Sequence, residues 1–129
     1  MGDRICIGTS EGIFINEYSS EEQFHWKDLS NGLQSTFINA MTAVDSNIVV
    51  STSSGILIGQ GFGKRWVSAS SDITASMVHE FALDYETWIY AATSNGIWRS
   101  KDKGDHWILM GLEGLNVLTV TILGDQSGY

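Results

Sequence analysis

The sequence has little positive charge and a single cysteine. Its 129 residues include 7 Lys and Arg against 15 Asp and Glu, which gives a formal net charge of −8. A protein this acidic repels phosphate backbones and anionic headgroups, so nucleic acid and membrane surfaces are disfavoured as partners. One cysteine, Cys6, excludes a disulfide within the chain, and its place in an apolar run favours a small buried side chain.

Long apolar runs and targeting signals are also lacking. No stretch approaches the roughly 18 apolar residues of a membrane-spanning helix. The first residues, MGDRIC, lack the basic and apolar regions of a signal peptide. We therefore expect a cytoplasmic protein. With 43% hydrophobic and 17% charged residues, the composition is typical of a packed domain rather than of a disordered chain.

What the sequence does contain is one unit repeated three times. The segments CIGTSEGIF (6–14), VVSTSSGIL (49–57) and YAATSNGIW (90–98) align on a shared threonine. A period of about 40 residues is typical of propellers and solenoids. The units span about 4–45, 46–84 and 85–125 within one domain, 1–129. Each unit also carries a tryptophan and a later aspartate, in the order Trp26 and Asp45, Trp66 and Asp84, Trp107 and Asp125.

Strand signals dominate every unit. Short runs of β-branched and aromatic residues alternate with clusters of Gly, Ser, Asn and Asp about every ten residues, and no segment has sustained helical periodicity. Each unit therefore predicts four antiparallel strands, with a glycine at positive φ in the Thr-x-x-Gly turn. The tryptophans are expected to form the core between adjacent blades, at Trp26, Trp66 and Trp107.

The predicted architecture is an all-β propeller with three four-stranded blades per chain. A closed propeller needs about four to eight blades, so one chain supplies too few. The pattern of residues 118–125 matches that of 38–45, so the chain opens on the second strand of a blade and ends on a first strand. We predict a homodimer that forms a six-bladed ring, each copy completing the first blade of the other. A different partner polypeptide, a longer parent chain and a ring of three copies are the alternatives.

One hairpin carries a recognisable motif. Ser100, Asp102, Gly104 and Trp107 spell Ser-x-Asp-x-Gly-x-x-Trp. This spacing resembles the Asp-box, or bacterial neuraminidase repeat, found in the propellers of sialidases, sortilin-type receptors and photosystem II assembly factors. The second unit keeps the glycines of the motif but no aspartate. We expect Asp102 to accept hydrogen bonds within its own turn, which is a structural rather than a catalytic role. The resemblance implies a fold and leaves function open.

Two sets of residues are candidates for binding. The first would line a central channel from the innermost strands and comprises Asn39, His79, Glu80, Thr119 and Thr121. A water-filled polar channel is the simpler interpretation of this set, and a ligand site is the alternative. The second set is Trp88 and Trp98, which lack aromatic equivalents in all three units and are therefore candidates for stacking on sugars.

No catalytic constellation accompanies these residues in the sequence. The three arginines occupy non-equivalent places in the repeat, so the arginine triad that a resemblance to sialidases implies is not matched. The three histidines lack the spacing of a zinc site. We therefore predict a non-enzymatic scaffold without cofactor or metal that binds a protein partner. A carbohydrate-binding or glycoside-hydrolase-related propeller is the alternative.

Overall fold

The computed structural model describes residues 4–20, 23–33, 35–73, 75 and 77–124, and over these residues the chain is all-β. The strands form three antiparallel sheets in which neighbours along the chain are hydrogen-bonded neighbours in space. The first sheet contains β1 (Cys6–Thr9), β2 (Gly12–Ser20) and β3 (Gln23–Asp28). The second contains β4 (Ala40–Val44), β5 (Asn47–Thr52), β6 (Gly55–Gly59) and β7 (Arg65–Ser68). The third contains β8 (Val78–Leu83), β9 (Ile89–Thr93), β10 (Gly96–Ser100) and β11 (Ile108–Gly111). The predicted all-β class is confirmed.

A single helical turn, α1 (Gln60–Gly63), joins β6 to β7. Two of its residues, Gly61 and Phe62, have left-handed backbone angles, with φ of 60° and 59°. The segment is therefore a tight hairpin connection that only locally follows a helical path. Among the described residues, no helix is long and apolar enough to cross a membrane.

The Thr-x-x-Gly turn is built in the same way in every unit. The Thr9 hydroxyl donates to the carbonyl of Gly12 at 2.9 Å and accepts the N–H of Glu11 at 3.0 Å. Thr52 and Thr93 make the same pair of bonds in their own units. The glycine of each turn has positive φ, at 127°, 100° and 89° along the chain. The prediction of left-handed glycines at these turns is confirmed.

The sheets pack face against face through two apolar layers. Successive residues of a strand point to opposite faces, so Val50 of β5 joins the layer shared with the first sheet and Val49 joins the layer shared with the third. Cys6 is half-buried against the first layer, and this burial raises the pKa of its thiol. Strands β4 and β8, which come first along the chain in the second and third sheets, lie beside each other although they belong to different sheets.

The first sheet has three strands where the other two have four. Strand β1 pairs with β2 alone, so one edge of β1 faces no described strand. The sequence predicts a strand over 118–125. Residues 118–124 belong to no sheet and are mostly exposed. Asp125 lies outside the described residues. A strand requires a hydrogen-bonded neighbour. The four-stranded blade predicted for the first unit is therefore incomplete in the single chain.

Candidate functional site

β10 ends at Ser100, and the following residues fold into a closely hydrogen-bonded turn. The buried Ser100 hydroxyl donates to Asp102 Oδ1 at 2.8 Å and accepts the N–H of Gly104 at 2.9 Å. Asp102 Oδ1 also accepts the backbone N–H of His106 at 2.8 Å. The indole N–H of Trp107 closes the turn by donating to the Gly104 carbonyl at 2.7 Å. The residues of the motif thus satisfy the backbone of their own hairpin.

A hydrogen bond between a histidine and a carboxylate lies on the exposed side of this turn. The His106 ring Nδ1 is 2.7 Å from Asp102 Oδ2. Partial burial acts to raise the pKa of Asp102, but hydrogen bonds from His106 and Ser100 outweigh it, so this pKa is lowered. The hydrogen bond that the His106 ring donates to Asp102, helped by the charge of Asp105, raises the pKa of His106. The carboxylate therefore accepts hydrogen bonds from its own turn.

The same turn joins the third sheet to the second. Gly104 has φ of 98°, and a Cβ at this position would lie 3.0 Å from a methyl group of Val49 in β5. The backbone N–H of Trp107 donates to Asp72 Oδ2 at 2.9 Å, a residue that follows the second sheet. A glycine is favoured at position 104 because its φ is positive and the two sheets approach closely there.

The other two units depart from the motif in different ways. In the first unit Asn16 takes the place of Ser100, and its Oδ1 is the buried side-chain atom without a hydrogen-bond partner among the described residues. In the second unit Gly59 takes that place and α1 replaces the aspartate turn. The motif's glycine persists there as Gly63, with φ of 86°. The third unit alone therefore has the complete network over the described chain.

The three blade tryptophans differ in burial. Trp107 is 3% exposed in the layer between the second and third sheets. Trp66 packs against the layer between the first and second sheets, and its indole N–H donates to the Leu29 carbonyl at 2.9 Å. Trp26 is 45% exposed. In the single chain Trp26 therefore lies outside the core, because no described sheet covers that face of the first sheet. Its place between two blades of a completed ring stays a prediction.

The predicted channel residues are only partly brought together. Glu80 Oε1 accepts the hydroxyl of Thr119 at 2.7 Å and the N–H of Val120 at 2.8 Å. His79 Nε2 is 2.8 Å from the side-chain oxygen of Asn116. These contacts attach β8 to the segment that follows the third sheet. The bond from the Val120 N–H, with that from Thr119, lowers the pKa of Glu80. The two remaining predicted members, Asn39 and Thr121, do not belong to this network.

The two tryptophans proposed for sugar stacking are both engaged by the protein. Trp98 is 7% exposed, lies in the second apolar layer and donates its indole N–H to the Asn95 carbonyl at 3.0 Å. The prediction of an exposed stacking ring at Trp98 is therefore wrong, because the ring fills the space between two sheets. Trp88 is half-buried, and the Arg99 guanidinium lies 4.6 Å from its ring centroid. One face of Trp88 is thus covered by a cation.

Sequence reasoning missed two features of the site. The first is that Glu80 accepts hydrogen bonds from Thr119 and Val120. The sequence indicated this only through a charged residue within an apolar strand. A cavity lined by serine and threonine hydroxyls was signalled only by hydroxyl-rich runs at 51–54 and 68–71. Comparison of the chain with protein-family models, curated proteins and solved structures finds no match.

Proposed function

We propose that this chain is a non-enzymatic binding scaffold, one half of a six-bladed propeller of the Asp-box type that a second copy completes. The observation that carries the proposal is the uncovered state of the first sheet. Ile7 of β1 is 37% exposed, whereas Val50 and Ala91, which occupy the same place in the other units, are 0% exposed. Exposed apolar surface at a position that the repeat otherwise buries is typical of an interface.

The backbone supports the same conclusion. Equivalent backbone hydrogen bonds are made by the segments that follow the first and third units. The N–H of Ile38 donates to the Thr9 carbonyl at 3.0 Å, and the N–H of Val117 donates to the Thr93 carbonyl at 2.8 Å. After Ile38 the chain forms β4 and pairs with β5. After Val117 the described chain offers no such partner. The equivalent of β5 for this segment is β1, whose edge is open.

A second copy is the occupant that fits both surfaces. Segment 118–124 of one copy would form the missing inner strand beside β1 of the other, and Trp26 would pack against the partner's third sheet, as Trp66 and Trp107 pack against preceding sheets within the chain. Two chains of three units give six blades, within the usual range of about four to eight. Paired copies related by a twofold axis are also the commonest protein assembly.

A binding role is favoured over catalysis by what the candidate carboxylates contact. Glu80 accepts two hydrogen bonds from the terminal segment, and Asp102 accepts bonds from Ser100 and His106. Glycoside hydrolysis needs two carboxyl groups facing each other across a substrate, at roughly 5 to 9.5 Å. Since both residues hold backbone structure, we infer that the assembled ring serves as a rigid platform for a partner protein.

The mass in solution tests the assembly. Light scattering during size-exclusion chromatography should give twice the 14.2 kDa chain mass. Hydrogen exchange should show protected amides in both 6–9 and 118–124. A mass of one chain at every concentration, or of three chains, would contradict the pairing of two copies. A paired mass without protection of these two segments would contradict the proposed seam.

A further inference from the structure

A cavity of about 370 Å³ opens beside the Thr-x-x-Gly turn of the second unit. Its polar walls come from residues 51–54 and 68–71, eight residues of which seven are serine or threonine. Its apolar floor includes Ile56, Ile73 and Met77. The volume falls within the range of about 300 to 1,000 Å³ that is usual for small-molecule sites. The cavity is formed by one chain and does not depend on the proposed pairing.

The repeat provides an internal comparison for this space. In the first unit, a Cβ on Gly12 would lie 2.2 Å from Ser30 Oγ, which accepts the N–H of Ile13 at 3.0 Å. In the third unit, a Cβ on Gly96 would lie 2.7 Å from a backbone carbonyl oxygen. In the second unit, a Cβ on Gly55 would have no described atom within 4 Å. Among the described residues, the space beside the turn glycine is thus filled in two units and open in one.

The lining indicates the chemistry of the ligand. No described residue of the lining is charged, so an ion would lose hydration without gaining a counter-charge. Hydroxyl groups both donate and accept hydrogen bonds. The hydroxyls of Ser54, Ser68 and Ser71 are exposed and make no hydrogen bond to another described residue. A neutral ligand that has many hydroxyl groups on one side and C–H groups on the other matches this surface.

We propose that this cavity binds a neutral sugar or cyclic polyol of about one ring. The hydroxyls of Ser54 and Ser71 exchange hydrogen bonds with the ligand, while its C–H face packs on Ile56 and Met77. This site is separate from the interface that completes the ring. It also differs from the stacking site predicted at Trp88 and Trp98, because aliphatic side chains rather than aromatic rings form its floor.

Titration of ¹⁵N-labelled protein tests the site. The probes are glucose, galactose, mannose, N-acetylglucosamine and myo-inositol, with inorganic phosphate as the charged comparison. We expect at least one neutral probe to give saturable shifts confined to amides of 51–56, 68–73 and 77–78, with a dissociation constant in the millimolar range or tighter. Phosphate should give none. Shifts with none of the five neutral probes, or shifts located elsewhere, would overturn the proposal.

Matched variants separate recognition from folding. Ser54→Ala with Ser71→Ala should weaken binding of the active probe at least about tenfold, because two hydroxyl partners are lost. Ser10→Ala is the control, since Ser10 occupies the same turn in the first unit, where the space is filled. Equal binding by the double variant and the wild type would contradict the proposed contacts. The mass of each variant is measured in parallel, so failure of the sugar site is distinguishable from failure of the ring.

Discussion

Glu80 of β8 holds the backbone N–H of Val120, 40 residues later in the chain, at 2.8 Å. The same carboxylate oxygen accepts the hydroxyl of Thr119. An inner strand therefore fixes the start of the segment that we propose to pair with a second copy. A pre-positioned segment loses less conformational entropy on binding than a free one, so this contact should favour assembly.

The first prediction concerns acid. Because hydrogen bonds lower the pKa of Glu80 below its ordinary value of 4.5, docking of the segment is fully stabilised above that pH. The stabilisation is lost as the pH falls from about 4.5 through the lowered pKa. The amide shift of Val120, followed by NMR between pH 6 and 3, should report this transition.

Glu80→Gln is the matched variant, since it keeps the side-chain carbonyl and removes the ionisable group. The Val120 amide should then show no transition of its own in this range. An unchanged acid transition in the variant would mean that another group releases the segment.

The second prediction concerns the seam. Ile7→Lys places a charge on a surface that the ring would bury, and burying an unpaired charge costs several kcal/mol. Light scattering should therefore show the mass fall from two chains to one. Phe37→Lys is the control, since Phe37 is an exposed apolar residue, at 58%, that lies in the connection between two sheets of the same chain. Loss of pairing in both variants, or in neither, would argue against the seam at β1.

The third prediction separates backbone strain from packing at two glycines. Gly104 and Gly32 have similar φ, 98° and 88°. A Cβ on Gly104 would lie 3.0 Å from Val49, while a Cβ on Gly32 would meet no described atom within 4 Å. Both alanine variants incur the left-handed backbone cost of roughly 1–2 kcal/mol, and Gly104→Ala adds an overpacking cost of about 1–3 kcal/mol. Urea unfolding should rank Gly104→Ala as clearly less stable, and equal losses would contradict the close sheet contact.

The fourth prediction tests the motif as a structural element. Ser100→Ala removes the acceptor of the buried Gly104 N–H, and an unsatisfied buried group costs about 1–3 kcal/mol. Ser53→Ala removes an exposed hydroxyl whose partner is Ser35 at 3.3 Å, so its effect on the free energy of unfolding should be small. Denaturant midpoints of the two variants provide the comparison. Similar midpoints would show that the turn does not depend on its serine.

Local chemistry explains why parts of this fold were predictable. The Thr-x-x-Gly turn is specified within four residues, because Thr93 and Gly96 bond to each other and the glycine alone tolerates the required φ. The hairpin from Ser100 to Trp107 is similarly self-contained. Both could therefore be recognised from spacing. The all-β class followed from the same short-range signals.

Burial between sheets depends on neighbours distant in the chain, and there sequence reasoning failed. Trp98 lacks an aromatic equivalent and was expected to be exposed, yet it fills the second apolar layer. Trp26 shares the pattern of Trp107 but is exposed in the single chain, and its predicted place in the core depends on a sheet of the proposed second copy. In both cases the deciding factor is which sheet lies opposite, and local patterns do not encode this.

In the proposed ring, the open edge of β1 in one copy pairs with segment 118–124 of the other copy, so the two contacting surfaces of a chain differ from each other. Head-to-tail contacts of this kind form a closed ring only when the rotation between successive sheets, added over both copies, brings the last sheet of the second copy back to the first sheet of the first copy. A substitution in the layers between sheets that changes this angle would leave each added copy with an unpaired strand edge, to which a further copy could bind. Filaments, rather than dissociated monomers, are the expected product of such a variant.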